Sequence, residues 1–177
     1  MTRAFLSPLR RFWADEAGNA IVPYALWLPL FVGLIVSTVE IGTITVRHTQ
    51  LERALDQTVR EVKIGVTAPS HDALKAAICD KTTVLQNCTS MLHLEMVPLN
   101  MRNYAEPPAT ADCVDVSQEA TPQRAFTHGG GGQLMFLRAC FKFRPATPAA
   151  TLNASLPKDD EGYTAIVSTS AFVYEPS

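Results

Sequence analysis

Hydrophobic and polar positions along this chain fall into three regimes. Between residues 17 and 39 no charged side chain occurs, and Ile21, Val22, Leu26, Trp27, Leu28, Leu30, Phe31, Val32, Leu34, Ile35 and Val36 fill the stretch. About 23 such residues make a helix of roughly 35 Å, longer than a hydrocarbon core about 30 Å thick. A buried core helix usually offers a shorter apolar run. A cleaved secretory signal is shorter too and ends on a small-x-small site, which Val36-Ser37-Thr38-Val39-Glu40 does not supply. The pattern predicts a transmembrane helix over residues 19–40. Pro23 falls near its first turn, where a missing N–H costs little, whereas Pro29 is expected to kink it. Tyr24 and Trp27 suit a membrane interface.

The second regime is amphipathic. Ile41, Ile44, His48, Leu51, Leu55, Thr58 and Val62 step by three and four alternately, while Glu52, Arg53, Asp56, Arg60 and Glu61 fall off that stripe. This spacing predicts a helical stalk over residues 41–65, continuous with the membrane helix and stopped at Gly65. Ile44, His48, Leu51, Leu55 and Val62 are expected to form a seam for a partner helix. Packing of the same stripe on the chain's own outer domain satisfies the pattern equally well. His48 reads as a tolerated polar position on the stripe.

The third regime, residues 66–177, is too short for two ordinary domains. Ser70 is placed to cap a short helix carrying Ala73, Leu74, Ala77 and Ile78. Leu92, Leu94 and Met96 alternate with His93, Glu95 and Val97, a strand expected to end at Pro98. A second strand runs over 134–143, with Met135, Leu137, Ala139, Phe141 and Phe143 on one face and Arg138 and Lys142 on the other. A third, rich in Val, Thr, Ile and Phe, covers 163–174. Pro and Gly mark loops around 100–108 and 121–132. A long helix followed by antiparallel strands defines an α+β fold.

Charge and cysteine placement set the topology and the compartment. Arg3, Arg10 and Arg11 precede the apolar block, and no basic residue follows it until Arg47. The positive-inside rule therefore keeps residues 1–18 in the cytoplasm as a basic leader and exports the remainder, in a single-pass, inner-membrane arrangement. The net charge of −2 offers no basic field for nucleic acid. All four cysteines, Cys79, Cys88, Cys113 and Cys140, follow the apolar block, which points to two disulfides in an oxidising compartment. Three pairings exist, and nearness in sequence favours Cys79–Cys88 with Cys113–Cys140. Zinc is the rival use, with His71 and His93 nearby, but short Cys-x-x-Cys spacings are missing.

Candidate chemistry is sparse. Gly129-Gly130-Gly131-Gly132 lacks the Gly-Lys-Ser/Thr ending of a phosphate cradle and leads into a strand, so it reads as a flexible loop. His48, His71, His93 and His128 are isolated from one another, and no nucleophile elbow or metal-ligand helix occurs. The sequence therefore points away from an enzyme, a cofactor, a bound metal or a small-molecule substrate.

One constellation carries a family signature. Arg11-Phe12-Trp13-Ala14-Asp15-Glu16-Ala17-Gly18-Asn19-Ala20 leads into an apolar run with Leu28-Pro29-Leu30, which closes on Val39-Glu40-Ile41-Gly42. Over residues 10–60 this resembles the TadE-like pseudopilins of tight-adherence (Flp-type) pilus systems. The resemblance implies a pilin-like outer domain, a role in pilus assembly or adhesion, and other pseudopilins and pilus-assembly proteins as partners beside the lipid bilayer. It also implies a prepilin peptidase acting at the Gly18–Asn19 bond. At the fifth position after that bond stands Pro23, where such prepilins carry Glu, so the resemblance points to a minor, accessory or uncleaved component. A permanently anchored envelope binding module is the alternative.

Overall fold

The computed structural model describes residues 21–67, 70–104, 126–127, 129–145 and 156–175. The basic leader with Gly18 and Asn19, Cys113 and His128 lie outside the described residues. The chain divides into two compact units, residues 1–39 and 40–177. In the first, helix α1 (Ile21–Lys63) begins. Its residues 21–35 are all exposed, Trp27 at 66% and Phe31 at 61%. Helix α1 is long and apolar enough, near its N-terminal end, to cross a membrane. The helix runs through Pro29 as one element. Thr38 donates its hydroxyl hydrogen to the Ile35 carbonyl at 2.8 Å, which satisfies a polar group in an apolar segment.

The second unit is an α+β domain. The rest of α1 is followed by α2 (His71–Asp80), α3 (Cys88–Met91), β1 (Leu92–Leu99), β2 (Leu134–Phe143) and β3 (Thr164–Val173). The strands form one antiparallel sheet in the order β1-β2-β3. Period-2 alternation places Leu92, Leu94 and Met96 of β1 beside Phe141, Ala139 and Leu137 of β2, and Ile166 and Phe172 of β3 beside Phe141 and Met135. These residues form one buried cluster with Leu51, Ala54, Leu55, Val59 and Val62 of α1 and Leu74 and Ile78 of α2.

That cluster corrects the expected partner seam. Leu51 and Leu55 are fully buried and Val62 nearly so, all inside the chain's own core, with Ile44 partly buried against it. A three-stranded sheet must cover one apolar face, and the α1 stripe is what covers it here. Residues 41–65 accordingly belong to the α+β unit, which begins at Glu40. His48, on the margin of the stripe, donates from Nε2 to the Val167 carbonyl of the outer strand β3 at 3.1 Å.

The expected stop at Gly65 has its physical cause in the backbone. Gly65 adopts φ 74°, its N–H reaches the Val62 carbonyl at 3.1 Å and the Val66 N–H reaches the Glu61 carbonyl at 2.9 Å. This crossed pair of bonds is a Schellman cap, and it favours the residue without a Cβ. The Ser70 hydroxyl accepts from the Ala73 N–H at 3.3 Å and caps α2.

One further expectation changes. The first strand continues through Pro98 to Leu99, because β1 is an outer strand where a missing N–H is tolerated. Arg138 and Lys142 do lie on the second face of β2, but both are buried. Arg138 pairs at 3.3 Å with Glu95, its cross-strand neighbour in register.

The corrected packing sets a measurable cost. Leu51→Ala and Leu55→Ala are each expected to lower the stability of the isolated chain in micelles by about 2–5 kcal/mol, read by denaturant unfolding of the outer domain. A seam reserved for a partner would leave the isolated chain within about 0.5 kcal/mol of the parent, and that result would contradict the packing.

Candidate functional site

A cavity of about 210 Å³ opens on the α+β domain, lined by Arg47, Gln86, Asn87, Met91, Phe141, Lys142, Phe143, Arg144 and Tyr163. Four local decisions in the sequence build it. Arg47 stands on α1, four residues before the buried Leu51. Phe141, Lys142 and Phe143 end the central strand β2. Gln86 and Asn87 lead into α3, with Asn87 in the left-handed region at φ 54°, a conformation that asparagine tolerates better than most residues. Tyr163 immediately precedes β3.

The cysteines hold one wall. Cys79, near the end of α2, is bonded to Cys88, the first residue of α3, with the Cα atoms 5.6 Å apart. The short loop between them carries Gln86 and Asn87. Closing a loop of this size removes unfolded-state freedom worth about 3 kcal/mol in the chain-entropy model. Cys140, buried in β2, is also disulfide-bonded, and its partner falls outside the described residues, where Cys113 lies. With Cys79 and Cys88 joined, neither sulfur is available as a thiolate ligand for zinc. His71 instead meets the Phe126 ring edge-on at 5.3 Å between centroids. Among the described residues no group of three or more His, Cys, Asp or Glu is placed to hold a metal ion.

The charges in the cavity are distributed unevenly. Lys142 is only 5% exposed, and its Nζ donates to Asp159 Oδ2 at 2.9 Å. Asp159 Oδ1 accepts from the N–H groups of Tyr163 at 2.7 Å and Glu161 at 3.1 Å, closing the turn that delivers Tyr163 to the cavity. Gly162 completes that turn at φ 81°. Burial alone would push the Asp159 carboxyl up. The Lys142 hydrogen bond and charge, with the two N–H donors, outweigh it and hold the group below its ordinary range. Arg47 lies over the Phe143 ring at 4.7 Å and Arg144 over the Tyr163 ring at 4.6 Å. Among the described residues neither guanidinium has an ion pair or a side-chain hydrogen bond, and each lies against its ring. Aromatic stacking on two separate rings fixes both cations at the cavity without neutralising them.

The Glu61–Lys81 ion pair ties the ends of α1 and α2 together. Glu61 Oε2 accepts from Lys81 Nζ at 2.9 Å and from the Thr67 hydroxyl at 3.1 Å. The Lys81 hydrogen bond, aided by that of Thr67 and by the charge of Lys81, holds the Glu61 carboxyl below its usual value against its burial.

Of the residues singled out in the sequence, the structure brings together Cys79 with Cys88, and Ile44, Leu51, Leu55 and Val62 in or against the core. The tetraglycine segment enters the fold as a turn: Gly130 N–H donates to the Gln133 side chain at 2.8 Å and Gly132 N–H to the Tyr174 carbonyl at 2.8 Å. The cavity residues Arg47, Arg144 and Tyr163 escaped the sequence reading. An Arg-Phe pair four sequence elements apart gives no periodic signal, and only the Phe143-Arg144 step at a strand end hinted at it. Comparison with protein-family models, with curated proteins and with solved structures finds no match for this chain.

Asp159 yields a pH-dependent expectation. Its carboxyl is depressed in the folded state, so its contribution to stability is present above the unfolded value near 4 and is lost as pH falls through the lower folded value. Asp159→Asn is expected to cost about 3 kcal/mol at neutral pH, because Lys142 is left buried without a counter-charge. It should also flatten the loss of stability on acidification below about pH 4. Equal acid sensitivity in parent and variant would contradict the assignment.

Proposed function

We propose that this chain is a non-enzymatic, membrane-anchored minor pseudopilin or accessory component of a TadE-like, tight-adherence pilus assembly system. Its domain is then pilin-like and exported, with the leader in the cytoplasm. The observation that carries the reading is the division of α1. An apolar, wholly exposed segment at residues 21–35 passes within one helix into the stripe Leu51–Val62 that forms the core of a small sheet domain. A chain made this way suits a subunit that is held in lipid at one end and presents a compact head at the other. Exposed apolar surface of that length is costly in water and is satisfied by the bilayer. The disulfide Cys79–Cys88 fits an oxidising compartment for the head.

The family signature at Arg11–Ala20 adds the assembly role, with other pseudopilins and assembly proteins as partners and prepilin peptidase as the processing enzyme. A second reading, an anchored envelope binding module, draws on the basic cavity with its two uncompensated guanidiniums.

Two measurements test the proposal. A C-terminal alkaline-phosphatase fusion is expected to be active in cells, and activity of a cytoplasmic reporter alone at that end would reverse the topology. The mature N-terminus, read by mass spectrometry, is expected at Asn19 and should disappear from cells lacking the peptidase. An intact Met1 terminus in both strains would remove the processed-pseudopilin reading and leave the anchored module.

A further inference from the structure

We infer that the cavity between Arg47 and Arg144 is a binding site for a phosphate-type oxyanion. Among the described residues its lining holds three cations, Arg47, Lys142 and Arg144, and no carboxylate. Lys142 is already neutralised by Asp159, which leaves the two guanidiniums as the charges without a counter-ion among the described residues. Two positive charges match the one to two negative charges of a phosphate group. The planar guanidinium fork presents paired N–H donors to phosphate oxygens. Phe143 and Tyr163 hold those forks in place before any ligand arrives, so little side-chain freedom is lost on binding. Gln86, Asn87 and Tyr163 add neutral donors at the rim.

Size narrows the ligand. At about 210 Å³ the cavity is smaller than pockets for drug-sized molecules, which span roughly 300–1,000 Å³, and it admits a single compact group. Two sources offer that chemistry. One is free phosphate. The other is the headgroup of an anionic phospholipid, since Arg47 follows the apolar segment by only eight residues in the sequence. The free-phosphate source is independent of membrane anchoring.

The test uses the full chain in maltoside micelles, which contain no phosphate, with the Arg Nε–H signals of Arg47 and Arg144 followed by nitrogen-15 NMR. One arm adds inorganic phosphate, and the other dopes the micelles with phosphatidylglycerol. Saturable shifts of both signals are expected in at least one arm, and the responding arm identifies the source. Arg144→Gln, at an exposed position, and Arg47→Gln should each weaken binding about tenfold or more, whereas Arg53→Gln, exposed elsewhere on α1, should leave it unchanged. Three results would overturn the inference: no saturable shift in either arm, equal shifts with acetate at matched ionic strength, or binding that persists in both Arg47→Gln and Arg144→Gln.

Discussion

Burial of the α1 stripe against one face of a three-stranded sheet is the interaction on which the rest of this molecule depends. The sheet alone is too small to be stable, since three strands need an apolar face covered. Leu51, Ala54, Leu55, Val59 and Val62 supply that cover, and Leu74 and Ile78 extend it. Everything else is arranged around the helix being held there. The Schellman cap at Gly65 turns the chain back, the Glu61–Lys81 pair fastens the end of α1 to the end of α2, and the Cys79–Cys88 bond fastens α2 to α3. Arg47, one turn ahead of Leu51, reaches its aromatic platform on Phe143 because the stripe fixes the rotation of the helix.

A single helix therefore carries two different patterns of apolar surface. Its residues 21–39 present apolar side chains on every side, whereas residues 51–62 present them on one side only. The difference in periodicity separates the two parts: continuous apolarity suits hydrocarbon, and a stripe of three-and-four spacing suits a protein core. The threonines at 38, 43, 45 and 49 bond back to carbonyls of their own helix, so their hydroxyls need no outside partner where the character of the helix changes.

Much of this was legible in the sequence because the governing signals are local. The alternation over residues 134–143 reproduces β2, Ser70 caps α2, and Gly65 ends α1, each decided by residues within a few positions of one another. The surface that the stripe covers was not legible, because amphipathic spacing states that a face is buried and not what buries it. Pro98 misled for a similar reason: its effect depends on whether the strand is an outer one, a property of the sheet order. The burial of Lys142 depends on Asp159, 17 residues away in the sequence, and that of Arg138 on Glu95, 43 residues away on the neighbouring strand. The alternation placed Lys142 and Arg138 on the second face of β2 but could not name their partners, which come from distant stretches of chain. The cavity escaped for the same reason, since its lining comes from four separate stretches of chain.

The account stands or falls on the two environments of α1. A nitroxide scan along the helix, in the full chain reconstituted in lipid nanodiscs, measures them residue by residue through collision with oxygen and with a water-soluble nickel chelate. Labels at Leu26, Leu30 and Leu34 are expected to collide freely with oxygen and hardly with nickel, and labels at Leu51 and Leu55 with neither. Free collision with nickel at residues 26–34, or free collision with either reagent at Leu51 and Leu55, would contradict the division of the helix between lipid and protein core.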